Sequence, residues 1–283
     1  MSAPEPSSAR RPRLLYVSDL AYEAKGRRYC DEDIYLSAAL GSDFDVAVCP
    51  PAAAGALLDA FDLVVIRNSG PVIHYMAQYE ALRNDVLTRS IPVSPDLAGK
   101  ADQRGKQYLL DLYATGYPVI PTIDNAASID QLPQAAQYIA KPKFGADSVG
   151  MSVVERAELA ALSFNSLLVQ PRIDFSYEVS FYFVDREPHY ALSTPDPTRR
   201  WDLAIYAATT TDWAFAQQFV DWNSIERGIQ RVDACRTQTG ELLLVEIEDL
   251  NPYLSLDLLD PGTRDRFVES FNHSLLARAK NSL

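Results

Sequence analysis

The chain has 283 residues, of which 26 are basic and 38 acidic, for a formal charge of −12; an acidic excess of this size argues against nucleic acid as a partner, because phosphate neutralisation needs clustered Lys and Arg. With 47% hydrophobic and 23% charged residues the composition is globular rather than disordered or collagen-like, and the length suits one large domain or two or three packed ones. The longest apolar runs, such as 63–66 and 242–245, fall far short of the ~20 residues of a membrane span, and three scattered cysteines, Cys30, Cys49 and Cys235, predict neither a disulfide framework nor a zinc site and suit a reducing, cytoplasmic setting.

Residues 1–12, rich in Ser, Pro and Ala, read as a mobile tail. The run at 14–17 passes directly into Ser18 and Asp19 and is too short for a signal-peptide core. Residues 14–18 predict a strand, 31–40 have helical spacing, and 44–49 and 63–67 are further β-rich runs. This alternation predicts a small α/β layer over 13–97. A new unit begins near Ala98. Within 102–114, Tyr108, Leu109, Leu112 and Tyr113 stand at helical spacing, and Gly116 and Pro118 form a stop signal. The pattern then turns β-rich at 119–122, 138–141, 151–154, 167–170, 178–184, 229–235 and 242–247, which predicts an α+β half with hairpins.

Two stretches carry potential chemistry. The first is the hairpin 229–247 with its extension to Pro252. By the period of two, Arg231 and Asp233 share one strand face and Glu246 and Glu248 share another. A register with Asp233 opposite Glu246 sets Arg231 opposite Glu248, and the four side chains converge at about 5 Å spacing. Carboxylates this close repel one another unless a cation lies between them. Oxygen ligands from these acids and the Asn251 amide suit Mg2+, although a solvated surface hairpin would show the same pattern.

The second stretch is the loop from Lys141 and Lys143 through Gly145, Ser148 and Gly150, which can present backbone N–H groups, a hydroxyl and lysines to phosphates. It is not a P-loop, because Met151-Ser152 stands where Lys-Ser or Lys-Thr is required and a strand follows instead of a helix. A glycine hairpin alone is as often a plain turn.

Lys106, Lys141, the loop at 145–150, Val169-Gln-Pro-Arg-Ile173, Glu178, Arg231-x-Asp233 and Glu246-x-Glu248-x-x-Asn251-Pro252 occur in the order seen in the ATP-grasp superfamily of carboxylate ligases. The resemblance covers 98–259. It implies an ATP-grasp fold of mixed α/β and α+β class, with a Rossmann-like preceding domain at 13–97, a central lid subdomain at 98–168 and a C-terminal subdomain at 169–283. It further implies that Lys106, on a helix, and Lys141 contact the nucleotide phosphates under the glycine hairpin, to which Lys143, Gly145, Ser148 and Gly150 belong. Gln170, Pro171, Arg172 and Ile173 would line the adenine pocket, and Glu178 would hold the ribose. Asp233, Glu246 and either Glu248 or Asn251 would hold magnesium, while Arg231 stabilises the transferring phosphoryl group. Two departures stand out: Gln-Pro replaces an acidic adenine hinge, and Glu248 to Asn251 is longer than the compact Glu-x-Asn of the D-alanine ligase branch.

In an open α/β sheet, ligands bind at the carboxyl ends of strands. The substrate is therefore expected at Arg67, Asn68, Ser69, Gly70 and His74, with the basic loop Lys25, Arg27 and Arg28 nearby. His74 reads equally as a structural histidine. A basic loop at 194–201 could fold over the γ-phosphate or be an exposed turn.

The expected reaction is ATP-dependent activation of a carboxylate as an acyl phosphate, displaced by nitrogen with release of ADP and phosphate. The phrases at 16–20, 67–74 and 248–255 resemble the cyclo-ligase branch that closes O-ureido-D-serine to D-cycloserine in antibiotic biosynthesis. That resemblance implies a small amino-acid-like substrate. An intermolecular amino-acid or dipeptide ligase is the alternative, and a non-catalytic nucleotide-binding module is a second one. A dinucleotide-dependent dehydrogenase is disfavoured, since no G-x-G-x-x-G follows the first strand. A homo-oligomer is left open.

Overall fold

The computed structural model describes residues 10–24, 27–67, 72–145, 149–196, 199 and 202–280. Asn68, Ser69, Gly70 and Ser148 lie outside the described residues, as do Lys25, Arg200 and Trp201. The described chain contains no helix long and apolar enough to cross a membrane.

The amino-terminal part runs β1 (Arg13–Val17), a two-residue ribbon β2 (Glu23–Ala24) and β3 (Arg27–Arg28), α1 (Cys30–Leu40), β4 (Asp45–Cys49), α2 (Pro51–Leu57), β5 (Leu63–Ile66), α3 (Met76–Thr88) and β6 (Val93–Ser94). Four of these strands form a sheet in the order β4-β1-β5-β6, and every pair in it is parallel. The apolar runs at 14–17 and 63–66 are wholly buried, as expected of parallel strands covered on both faces. Because β4 lies on one side of β1 and β5 on the other, the strand order reverses at the carboxyl ends of β1 and β5, the usual place for a ligand crevice in an open parallel sheet. Arg67 stands there.

A second body follows α4 (Tyr108–Ala114): β7 (Tyr138–Pro142), β8 (Ser152–Val154) and β9 (Leu167–Pro171) make a three-stranded antiparallel sheet in the order β8-β7-β9. It has its own small core of Ile123, Leu132, Tyr138, Ala140, Leu159 and Val169. The glycine loop joins β7 to β8.

The third body is a five-stranded antiparallel sheet built from β10 (Phe175–Val184), β11 (Glu187–Thr194), β12 (Ala204–Ile205), β13 (Ile229–Thr237) and β14 (Leu242–Glu248), in the order β12-β11-β10-β13-β14. Helix α5 (Thr210–Asn223) interrupts it, opened by a reciprocal cap in which Thr209 and Asp212 satisfy each other's backbone N–H groups. Phe181, Phe183, Leu244, Ile247 and Phe219 of α5 meet in one core. Helix α6 (Pro261–Lys280) buries Phe267, Phe271, Leu275 and Ala279, a four-residue spacing that forms one apolar stripe. That stripe joins Tyr182 and Tyr190 of the third sheet to Leu14, Tyr16 and Leu63 of the first in a shared core.

Two expectations need correction. Residues 102–114 are not one helix: a single 3-10 turn at Asp102–Arg104 ends at Gly105, and α4 starts only at Tyr108. Gly105 has φ +84°, and a Cβ there would lie 2.7 Å from the Phe144 ring, so the backbone takes a left-handed kink open mainly to glycine. Lys106 therefore sits in a turn and not on a helix. Residues 119–122 likewise form no strand; the chain there makes isolated bridges, Val119 to Leu244 and Ile123 to Val169, that tie the second body to the third.

Candidate functional site

The carboxylate face is built by strand register. Asp233 pairs with Glu246 and Arg231 with Glu248 across β13 and β14, as the period of two allows. On the other side, Ser180 of β10 lies opposite Asp233 and Tyr182 opposite Arg231. Since opposed residues of antiparallel strands share a face, Glu178, Ser180, Tyr182, Arg231, Asp233, Glu246 and Glu248 line one side of the sheet. The register shifts between Asp233 and Ala234, because Leu244 already faces Ala234 and Val245 is the extra residue of a β-bulge. That bulge lets Leu242, Leu244 and Ile247 all enter the core behind the sheet while Glu246 and Glu248 stay on the site face. Strict alternation would have placed Leu244 beside Glu246.

Arg231 chelates Asp233 through Nε and Nη2 at 2.9 Å, reaches Glu248 from Nη2 at 2.5 Å, and donates from Nη1 to the Tyr253 carbonyl at 3.0 Å. Lys106 forms an ion pair with Glu246. Burial raises the Glu246 pKa, but Lys106 and Lys141 outweigh it and hold the carboxyl below its usual range. For Glu248 the balance goes the other way: burial, reinforced by Asp233 and Glu246 and opposed by Arg231, pushes it up to about 8. The three carboxyls of this face thus sit in different electrostatic settings: Glu246 is held ionised by lysines, Asp233 is paired with Arg231, and Glu248 is pushed up by burial and its acidic neighbours.

Lys141, on β7, is 7% exposed. Its side chain has no ion-pair partner among the described residues. Burial, together with the neighbouring Lys106 charge, pulls its pKa down to about 8. Lys143 is engaged elsewhere, by Asp124 at 2.9 Å, while its backbone carbonyl accepts from Lys106 N at 2.8 Å. That bond ties the Lys106 turn to the root of the glycine loop. Gly145 and Gly150 occupy this loop, with Gly150 at φ +76°.

Gln170 is buried on β9 and donates to Thr122 Oγ1 at 2.8 Å, and Pro171 ends the same strand. Arg172 is exposed and held by Gln137, and Ile173 is half-buried. These four residues end β9 and lead toward β10, in which Glu178 is the fourth residue. Asn251 follows β14 and is half-buried.

The residues expected to hold a metal lie on one face but are not assembled as a cage. Among the described residues no three acidic, His or Cys side chains converge into a ready cage; instead Asp233 and Glu248 turn to Arg231, and Glu246 to Lys106. A hard divalent cation fits this face, because its donors are all carboxylate oxygens and because Glu248 and its neighbours repel one another.

Arg67, expected to meet a substrate carboxylate, has no free nitrogen. Nε donates to Asp33 at 3.0 Å, Nη2 to Glu32 at 3.0 Å and Nη1 to the Pro252 carbonyl at 2.8 Å. Burial among two acids leads the sequence reading astray here, since both acids belong to α1 and nothing in the local pattern marks them as partners. His74 is exposed, 5.6 Å from the Tyr22 ring. A residue the sequence reading missed is Asp249, wholly buried and accepting from Ala101 N, Gln103 N and Asn223 Nδ2. A Cβ on Gly99 would lie 2.0 Å from its carboxylate, so the turn before Lys106 is pressed against the end of β14. The only signal for Asp249 was its place directly after Glu248.

No family model and no curated protein matches the chain. Solved structures do. D-cycloserine synthetase DcsG superposes with a TM-score of 0.72 at 21% identity, covering 93% of this chain and 99% of that one. D-alanine–D-alanine ligase from Bacillus anthracis, complexed with ATP, gives a TM-score of 0.64 at 12% identity, with coverage of 97% and 100%. ATP-grasp ligase PsnB, complexed with a phosphomimetic variant of a minimal precursor, Mg and ADP, gives 0.63 at 12% identity, with coverage of 95% and 100%. The chain shares their fold over 93–97% of its length.

Proposed function

We propose that this chain, which has the ATP-grasp fold, is an ADP-forming carboxylate–nitrogen ligase, and that its reaction is the intramolecular closure of a small amino-acid-derived substrate such as O-ureido-D-serine. The observation that supports it most is Lys141: a buried lysine with no ion-pair partner among the described residues, beside Lys106 and facing an acid-rich sheet. Burying an unpaired ammonium is costly, and a polyphosphate would supply the missing anion. The neighbouring carboxylates supply hard oxygen donors for the cation that accompanies it.

In this reading Lys106 and Lys141 bind the phosphates, and the loop carrying Gly145 and Gly150 covers them. Gln170, Pro171, Arg172 and Ile173 flank the base, and Glu178 the ribose. Asp233, Glu246 and Glu248 or Asn251 would hold Mg2+, which supplies charge neutralisation to the transferring phosphoryl group. Arg231 stabilises the same developing charge from the sheet side. A substrate carboxylate oxygen bonds to the terminal phosphorus as ADP leaves; a nitrogen of the same molecule then bonds to the carbonyl carbon, and inorganic phosphate leaves with the electron pair of the C–O bond. Intramolecular attack gains effective molarity, and closure of the loop keeps water from the acyl phosphate.

The test is to incubate the protein with Mg-ATP and single amino acids, O-ureido-D-serine among them, and to quantify ADP, AMP and phosphate. ADP and phosphate with one amino acid alone are expected. A requirement for a second amine would identify an intermolecular ligase, AMP would overturn the phosphoryl mechanism, and nucleotide binding without any turnover would favour a binding module.

A further inference from the structure

The segment 252–255, which follows the site strand β14, is gripped on both sides by buried side chains. Arg67 donates to the Pro252 carbonyl at 2.8 Å, and Arg231 donates to the next carbonyl, Tyr253 O, at 3.0 Å. Glu32 accepts from Leu254 N at 2.8 Å and Ser255 N at 3.0 Å, and Tyr190 OH donates to the Leu254 carbonyl at 2.7 Å. Ser255 itself has φ +53°, so the chain reverses within a turn that these bonds hold in place.

The grip is oriented from the first sheet. Asp33, which fixes Arg67 Nε, is itself held by Tyr16 OH at 2.9 Å and Ser18 Oγ at 2.6 Å. Tyr16 and Ser18 lie at the carboxyl end of β1, and Arg67 at that of β5. The Arg67 guanidinium is thus fixed in direction, and because the peptide unit is planar, fixing Pro252 O fixes the plane that leads into Tyr253. Tyr253 O in turn holds one end of Arg231. On the sheet side, Tyr182, opposite Arg231 in register, stacks on Tyr190 with ring centroids 4.3 Å apart.

We infer that Arg67 is a positioning residue: through Glu32 and the carbonyls of 252–253 it sets the orientation of Arg231, and so links the ligand crevice of the parallel sheet to the group that stabilises phosphoryl transfer. This rests on the phosphoryl role given to Arg231 above and deepens it. Arg67 touches no reacting atom. Its geometry suits this part because a guanidinium alone presents three nitrogens in a rigid plane to three acceptors, which an ammonium cannot match.

The test uses the full chain and two probes, Mg·ADP alone and Mg·ADP with fluoroaluminate, which mimics the transferring phosphoryl group. Calorimetry on the parent protein is expected to show an affinity gain of about a hundredfold or more on adding fluoroaluminate, the scale of a single transition-state donor. Arg67→Lys and Glu32→Gln are expected to keep Mg·ADP affinity within about twofold yet lose most of that gain, as Arg231→Lys does, because only orientation at the phosphoryl position has changed. Thermal unfolding of each variant shows that it is folded, and Glu32→Gln carries the test if Arg67→Lys is not. Full retention of the gain in folded variants would overturn the inference, as would parallel loss of ADP affinity and gain. Failure of the parent to bind Mg·ADP would overturn the nucleotide site itself, whereas ADP binding without a fluoroaluminate gain would remove the phosphoryl role of Arg231 and leave the nucleotide site standing.

Discussion

Two buried arginines divide the molecule's electrostatics. Arg67 and its partners Glu32 and Asp33 have side chains 3%, 5% and 0% exposed, and every nitrogen is satisfied by the fold. Arg231, Asp233 and Glu248 form a similar triad, yet they are 16%, 20% and 22% exposed, stand beside a lysine that makes no ion pair among the described residues, and include a carboxyl pushed up to about 8. The first cluster is sealed and holds two sheets together. The second keeps part of its surface open to solvent. The same residue types differ in exposure because one set is enclosed between α1, the end of β5 and the 252–255 segment, and the other lies on a sheet face that is only partly covered.

Breaking the sealed cluster should cost most in stability. Arg67→Met leaves two buried acids without their cation, and a loss of about 3–5 kcal/mol in unfolding free energy is expected from chemical denaturation; a loss below about 1 kcal/mol, the range of exposed pairs, would show that the cluster is not closed. The open cluster should respond chiefly in turnover. Asp233→Asn keeps the shape but replaces one of the two oxygens that accept from Arg231 with an NH2 that cannot, so a loss of about 1–3 kcal/mol in unfolding free energy is expected, while ADP release with substrate from the folded variant falls by about a hundredfold or more, the scale of a lost charge-stabilising group; undiminished turnover would remove Asp233 from the metal face.

A smaller effect is expected at the phosphate end. Lys141→Ala removes one phosphate contact and should raise the KM for ATP by about tenfold, equivalent to about 1.4 kcal/mol, with little loss of stability, since among the described residues the lysine makes no ion pair that its removal would break. An unchanged KM would show that the glycine loop clamps nothing through Lys141. The smallest effect concerns pH. With Lys141 near 8, well below its unperturbed value, the free site loses the ammonium as pH rises above 8, so a nucleotide must then be bound together with a proton. The Lys141 contribution to Mg·ADP affinity, read by calorimetry as the difference between the parent and Lys141→Met at each pH, should therefore be flat below pH 8 and shrink above it, since Glu248, pushed up to about 8, titrates in both proteins; a difference that does not shrink above pH 8 would remove the Lys141 ammonium from the phosphate site.

Much of the architecture could be read from periodicity. The buried runs at 14–17 and 63–66 are central parallel strands, 31–40 lies within α1, and the pairing of Asp233 with Glu246 followed from the alternation of Arg231 with Asp233 and of Glu246 with Glu248. The readings failed where a local pattern was overruled at a distance. The helical spacing around Tyr108 was real, but Gly105 and the Phe144 ring ended the helix short of Lys106. The run 242–247 looked like an ordinary strand, and only the core behind it demanded the bulge at Val245. Asp249 and Glu32 carried no local signal because their partners come from other elements, Gln103 and Asn223 for Asp249 and Arg67 and Leu254 for Glu32.

The sequence by itself determined the residue types of the site and, through the two-residue period of a strand, which of them share a face. Tertiary structure decided which charges are spent on one another and which stay available. That choice depends on burial and on partners brought from other elements, as when α1 carries Glu32 and Asp33 to Arg67 while Lys141 makes no ion pair among the described residues, and no local pattern encodes it.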